Sequence, residues 1–367
     1  QKTEGTWRSH QVPLSGVKGN QDHLDVLEKW LRSYRPEELF DENGGPSELV
    51  RRANVTGELR MSASPHANGG IVTRDLDIPD FRQYAVDVPT PATVKLESTR
   101  KLGELMRDIY RDNDDRFRLF CPDETNSNRL GAVFEVSDRM FAETVYPEDV
   151  SLSRDGRVME VLSEHNCHGW LEGYTLTGRH GLFATYEAFA MVSASQTIQH
   201  AKWLQEAEHL DWREPVPSLN ILLTSTAWRN DHNGFSHQGP GLLQNVITTR
   251  GNIGRVYLPP DANSLLSVAD HCFRSRSYVN VIVIDKQPQL QWMTIDEAVE
   301  HCARGAGVWE WAGTDDGSAD PDIVLACAGD VVTMETVAAA AILRDHLPHL
   351  RTRVVNVVDL MTLPRQK

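Results

Sequence analysis

Arg255-Val256-Tyr257-Leu258-Pro259-Pro260-Asp261, followed by Val279-Asn280-Val281-Ile282-Val283-Ile284, is the part of the 367-residue chain that decides the fold. Both apolar runs are short and rich in β-branched residues, as strands buried on both faces are. Between them the two prolines stop the first strand, and the Asp261 carboxyl is placed to cap a helix. The reading is strand, helix, strand, which joins two parallel strands. Working outward, Ile221-Leu222-Leu223-Thr224 and Phe117-Arg118-Leu119-Phe120-Cys121 read as further strands. Leu102, Leu105, Met106, Ile109 and Tyr110 repeat at helical spacing and share one face. From about residue 91, then, the expected fold is α/β, with a mostly parallel sheet covered by helices on both faces.

Beyond residue 296 a second α/β unit is expected. Ile323-Val324-Leu325-Ala326 reads as a strand, Met334 to His346 as a helix, and Arg353 to Val358 as the next strand. Residues 1 to about 90 are punctuated by breakers such as Asn43-Gly44-Gly45-Pro46. They read as a linker with one helix or two, the clearest carrying Leu24, Leu27, Trp30 and Leu31 behind Asn20. The expected organisation is therefore linker 1–90, main domain 91–295, and the opening of a further domain at 296–367. Gln1 is not preceded by an initiator Met and opens no signal-peptide pattern, and the chain stops just after a strand. Both termini are expected to be cuts within a longer polypeptide.

Composition excludes several function classes. Fifty-two acidic against 37 basic residues leave a net charge of −15, which argues against a nucleic-acid partner. The longest apolar run, Val337 to Leu343, is far short of the roughly 20 residues that span a bilayer. Five cysteines, odd in number and without a CxxC pair, suit free thiols in a reducing cytoplasm rather than disulfides or zinc.

In open α/β sheets ligands sit beyond the carboxyl ends of strands, so polar clusters there carry most weight. Cys121 to Leu130 contains Ser127, Asn128 and Arg129; it suits an oxyanion grip or, equally, a helix cap with surface polar residues. Glu164 follows an apolar stretch and is flanked by His165 and His168; a carboxyl in apolar surroundings can trade protons near neutrality. A structural role for that glutamate and its histidines stays open, and the three-residue spacing of the histidines defines no metal site. The run 228–238 is so rich in polar side chains that burying it requires a ligand or partner. Lys286 follows the 279–284 strand; it is a solvated strand end unless the same sheet edge carries the other clusters. Together these residues point to a pocket for a polar, phosphorylated ligand.

These clusters, with the runs Glu4 to Leu14, Gly178 to Phe183 and Tyr257 to Asn263, resemble the phosphoketolase family, in order and over essentially the whole chain. The resemblance implies a transketolase-like thiamine diphosphate fold, in which 91–295 is the pyrimidine-binding domain and 296–367 the start of the C-terminal domain. It implies phosphorolytic cleavage of xylulose 5-phosphate or fructose 6-phosphate, giving acetyl phosphate with glyceraldehyde 3-phosphate or erythrose 4-phosphate. Glu164 matches the glutamate that contacts the cofactor's aminopyrimidine, and Phe189 a ring that packs on it. His10 matches a histidine assigned to acid–base work, with His237 in the same reaction zone. Gln11, Ser127, Tyr186, Asn233, His237 and Lys286 match positions that hold the substrate phosphate or inorganic phosphate, with Arg129 and His232 as neighbours. Asn230 and Gly239 depart from residues that some members carry, which bears on sugar preference.

The resemblance further implies a homodimer or larger even assembly, and Mg2+ held with the diphosphate by a domain upstream of Gln1. The 367 residues alone are therefore expected to bind thiamine diphosphate poorly and to be inactive. Rival expectations are transketolase-type ketol transfer, a non-catalytic assembly subunit, and a metal hydrolase built on the histidines, the last lacking any HExxH arrangement.

Overall fold

The computed structural model describes residues 16–122, 125–226, 241–249 and 252–363, together with Gly5, Trp7 and Leu14. The chain divides into two compact units, Gln1–Ala63 and Ser64–Lys367. The first contains helices α1 (Gln21–Arg32) and α2 (Glu48–Ala53). Asn20 caps α1 by accepting a hydrogen bond from the His23 N–H, as the sequence predicts. Its apolar stripe is not buried: Leu24, Trp30 and Leu31 are all exposed.

The second unit is an α/β structure. Its strands are β1 (Lys95–Leu96), β2 (Phe117–Cys121), β3 (Arg139–Met140), β4 (Leu152–Ser153), β5 (Val158–Glu160), β6 (His180–Tyr186), β7 (Leu219–Thr224), β8 (Gly254–Tyr257), β9 (Val279–Val283), β10 (Gln289–Leu290), β11 (Ala306–Val308), β12 (Ile323–Ala328) and β13 (Thr352–Val357). Its helices are α3 (Ser98–Asp112), α4 (Glu164–Leu176), α5 (Glu187–Ala190), α6 (Ala194–Ala207), α7 (Gly241–Ile247), α8 (Ala262–Arg274), α9 (Ile295–Arg304) and α10 (Asp330–His346). Eight strands form one sheet in the order β4-β3-β5-β2-β6-β7-β9-β8, and every pairing in it is parallel. The central strands β6, β7 and β9 are buried at every position, which is why they read as continuous apolar runs without alternation. β6 is absent from the sequence-predicted strands, because its opening His180-Gly181 carries neither β-branching nor apolar bulk.

The helices cover both faces of this sheet. On α3 the predicted face is fully buried, with Leu102, Leu105, Met106, Ile109 and Tyr110 all at 0% exposure. Each such side chain contributes about 1.5–3 kcal/mol of transfer free energy. Asp261 caps α8 in a reciprocal capping box with Ser264. Its second carboxyl oxygen accepts the N–H groups of Trp292 and Met293, at 3.2 and 3.0 Å, so this buried carboxyl also ties β9's outgoing chain to α8.

Residues 64–94 contain no long element and run as a strap over the sheet's helices. Two buried asparagines hold this strap, because an Asn amide offers the same donor and acceptor as an unpaired peptide. Asn113 accepts from the Asp77 N–H at 2.9 Å and donates to the Asp77 carbonyl at 2.8 Å. Asn263 does the same for Val86, at 2.8 and 2.9 Å. A second, three-stranded sheet (β11-β13-β12) carries α10, with β12 and β13 parallel and β11 antiparallel to β13.

Candidate active site

All parallel strands present their carboxyl ends to one edge of the eight-stranded sheet, and the strand order decides what meets there. The loop after β2 carries Ser127, β6 ends in Tyr186, and three residues beyond β9 stands Lys286. β2 and β6 are neighbours, whereas β9 is separated from β6 by β7. The lysine therefore reaches across the end of β7. Its ammonium donates to the Ser127 Oγ at 2.8 Å and to the Tyr186 hydroxyl. The two hydroxyls are themselves hydrogen bonded at 2.6 Å. The same ammonium lies 3.7 Å from the centroid of the Tyr186 ring, close enough for cation–π attraction. Tyr186 and Lys286 are 4% and 2% exposed and Ser127 is half-buried, so two hydroxyls and one cation form a donor group at the sheet edge. Such a group suits an anion.

The supporting residues fix this cluster from outside. Asn128, beside Ser127, is fully buried; it accepts from the Thr224 hydroxyl at the end of β7 and donates to the Cys121 sulfur at 3.4 Å. Arg129 sits in the left-handed region (φ 65°), and its guanidinium is paired with Glu97 at 2.6 Å and with the Ser127 carbonyl at 3.2 Å. Arg129 thus ties the loop to Glu97. Phe189, in α5, stacks on Tyr186 with ring centroids 5.9 Å apart and planes 23° apart.

Glu164 belongs to the same edge but not to the donor group. It is the first residue of α4, after β5, and the Ser163 side chain caps that helix by accepting from the Asn166 N–H. Glu164 is half-buried and His165 exposed. β5 lies one strand beyond β2, so four strand spacings of about 4.8 Å separate β5 from β9 across the sheet. The Glu164 and Lys286 backbones thus stand well apart along this edge, while the lysine ammonium reaches back to Ser127 in the loop after β2, the strand next to β5.

In the second turn of α4, His168, whose role the sequence left open, meets two residues that sequence reading passed over, Glu172 and His200. His168 is fully buried; its Nδ1 is 2.7 Å from Glu172, and its Nε2 is 2.9 Å from the Thr197 hydroxyl. His200 of α6 stands 3.7 Å from the other Glu172 oxygen. Burial pushes the Glu172 carboxyl up, but the two imidazoles outweigh it and hold the carboxyl down at about 2. The i, i+4 spacing of His168 and Glu172 was the available signal; the partner on α6 had none.

Of the remaining expected site residues, His10, Gln11, Asn233 and His237 lie outside the described residues, as do Asn230, His232 and Gly239. A cavity of about 460 Å³ lies at the opposite, amino-terminal edge of the sheet, lined by residues that include Arg213, Val216, Ile253 and Tyr278. Among the described residues no group of three or more His, Cys, Asp or Glu side chains is arranged to hold a metal ion. None of their helices is long and apolar enough to cross a membrane. Of the five cysteines, Cys121, Cys167, Cys272 and Cys327 are buried and Cys302 is half-buried.

The fold is of the transketolase class. A transketolase from Pichia stipitis, in complex with sedoheptulose 7-phosphate, superposes with a TM-score of 0.59 at 18% identity, covering 95% of this chain and 44% of that one. A transketolase from Leishmania mexicana gives a TM-score of 0.57 at 18% identity, over 79% of this chain and 38% of that one. Within that class the sequence is more specific. The family model described as D-xylulose 5-phosphate/D-fructose 6-phosphate phosphoketolase matches residues 100–275, and the same family's C-terminal and N-terminal domain models match 286–367 and 1–72. The probable phosphoketolase of Rhodopseudomonas palustris (strain HaA2) is 58% identical over 364 residues, which are 99% of this chain and 46% of that protein. Probable phosphoketolase 2 of Nostoc sp. (strain PCC 7120) matches to the same extent. The chain belongs to the phosphoketolase family, and it spans just under half the length of the relatives it matches.

Proposed function

We propose that this protein serves thiamine diphosphate-dependent phosphorolysis of a ketose phosphate, xylulose 5-phosphate or fructose 6-phosphate. The products are acetyl phosphate with glyceraldehyde 3-phosphate or erythrose 4-phosphate. The observation that carries this reading is the Ser127–Tyr186–Lys286 donor group at the carboxyl edge of the sheet, with its tyrosine and lysine buried. Ser127 and Tyr186 lie in the segment that the phosphoketolase model matches, and Lys286 opens the segment that the family's C-terminal domain model matches. Two neutral hydroxyls and one ammonium compensate a phosphate dianion without fully neutralising it, which leaves an oxygen free to act as nucleophile.

The described residues suit the pyrimidine half of the cofactor. Glu164 is a half-buried carboxyl at a helix start, able to hold and return a proton at a ring nitrogen, and Phe189, stacked on Tyr186, offers an aromatic ring at the same sheet edge. When bound, thiamine diphosphate supplies the carbanion and the electron sink for breaking the carbon–carbon bond. Magnesium and the diphosphate are assigned to residues other than those described. His10 and His237 are assigned acid–base work on the substrate, and Gln11 and Asn233 phosphate contacts beside Ser127, Tyr186 and Lys286. The working assembly is a homodimer or larger even oligomer, and the 367 residues alone are inactive.

The test is acetyl phosphate formation by the complete polypeptide of the source organism, with thiamine diphosphate, magnesium and each ketose phosphate. The reading requires a product that depends on added inorganic phosphate and is lost in Glu164→Gln. Transfer of the two-carbon unit to an aldose, with no dependence on phosphate, would instead make the protein a transketolase.

A further inference from the structure

Lys286 does not hold its own position, because the chain leaves β9 after Val283 and the sheet ladder no longer fixes it. What fixes it is a pair of buried carboxylates. The Asp285 side chain is fully buried and accepts from the Gln287 N–H at 3.1 Å and the Gln289 amide at 2.9 Å, which folds residues 285–289 into a tight turn. The Asp285 backbone N–H is bound by a residue 45 positions away: it donates to the Asp330 Oδ2 at 2.9 Å. Asp330 opens α10, in the unit built on the three-stranded sheet, and its other oxygen accepts the Val331 N–H at 2.9 Å. Each oxygen of this carboxyl thus serves one buried N–H, one in its own helix and one in the backbone next to the site lysine.

We propose that Asp330 is a positioning residue for Lys286: by anchoring the Asp285 N–H it orients the ammonium onto Ser127 and Tyr186, so the smaller α/β unit sets the geometry of the anion site. Two buried carboxyls facing each other are costly, and burial together with the Asp285 charge pushes Asp330 up to about 7. The N-cap of α10 is Gly329, one residue earlier, so helix capping gives no reason for a carboxyl at Asp330. The proposal rests on the reading of Lys286 as an anion-holding residue, and its test separates the two.

In the complete polypeptide, each lysine is trace-labelled with acetic anhydride and quantified by mass spectrometry, with exposed Lys95 as internal standard. Asp330→Ala leaves the Asp285 N–H without its acceptor, and labelling of Lys286 is expected to rise roughly tenfold. Asp330→Asn, which keeps an oxygen in the same volume, should restore most of the protection. If the alanine variant does not accumulate as folded protein, Asp330→Ser takes its place, because its shorter side chain still leaves the Oδ2 position empty. Unchanged Lys286 labelling overturns the proposal, and so does an equal rise at Lys101, which marks general loosening. A rise in labelling together with a raised KM for inorganic phosphate supports both the positioning role and the phosphate reading. A rise in labelling with that KM unchanged supports the positioning role and removes Lys286 from phosphate recognition.

Discussion

Replacing Tyr186 by phenylalanine removes one oxygen from the centre of the donor group and little else. The ring keeps its place in the buried end of β6, its stacking on Phe189, and its face toward the Lys286 ammonium. Ser127 retains the lysine as donor at 2.8 Å. What is lost is one hydroxyl–hydroxyl hydrogen bond and one charge-assisted bond. Neutral pairs contribute about 1 kcal/mol and charge-assisted ones about 1.5–3 kcal/mol, and the cation–π contact that survives offsets part of the second. Those bonds belong to the protein. The anion itself loses one hydroxyl donor, a bond to a charged group of about 1.5–3 kcal/mol. That loss corresponds to a roughly 10- to 150-fold rise in the KM for phosphate. Because the hydroxyl acts in holding the anion, kcat should fall by less than KM rises. The assay is steady-state acetyl phosphate formation at varied phosphate concentration, with urea unfolding alongside to certify the fold. A folded Tyr186→Phe enzyme whose KM values for phosphate and ketose phosphate stay within twofold of the parent would refute the assignment of this cluster to anion binding.

Three further outcomes follow from the same geometry. Glu172 is held below its ordinary value of 4.5 at about 2, so it stabilises the fold above pH 4.5 and loses that contribution, roughly 3 kcal/mol, as pH falls toward 2. Glu172→Gln should flatten this acid wing; identical urea midpoints at pH 6 and pH 3 in the parent protein would contradict it. Asp330 is shifted the other way, from 3.8 to about 7, so folding takes up a proton and stability falls by roughly 4 kcal/mol as pH rises from about 4 to 7. Asp330→Asn should remove that slope, and a parent-like slope in the variant would exclude Asp330 as its source. Gly178 has φ +89°, and a Cβ added there would stand 2.4 Å from the Gly69 carbonyl oxygen. Gly178→Ala should therefore cost about 2–4 kcal/mol and speed proteolysis within residues 64–94; an unchanged cleavage rate would show that the strap is not held at this point.

Much of the main unit was legible in the sequence because its signals are local. The apolar run 279–284, the Asp261 cap and the face from Leu102 to Tyr110 each declare an element within a few residues, by burial, capping or 3.6-residue spacing. Strand β6 was not legible, since His180 and Gly181 begin it and its burial comes from β2 and β7 on either side. The α1 stripe predicted an amphipathic helix correctly, but no periodicity says what an apolar face meets, and Leu24, Trp30 and Leu31 are exposed.

The site divides in the same way. Sequence by itself determined that Ser127 and Lys286 follow strands, which with parallel strands puts them on one edge, whereas Glu164 was placed only behind an apolar stretch. It also carried the family likeness, through contiguous runs of residue types. Only the tertiary structure decided the partners. The strand order lays β2 beside β6 and sets β9 two places away, so Lys286 crosses β7 to reach Ser127 and Tyr186, while Glu164 falls to the far side beyond β2. It turned Arg129 toward Glu97, closed His168 and His200 around Glu172, and brought Asp330 to the Asp285 N–H. The physical reason is that hydrogen bonds and ion pairs depend on distances of about 3 Å between residues tens to more than a hundred positions apart. Such distances are fixed by sheet order and helix packing, not by any pattern within reach of a local reading.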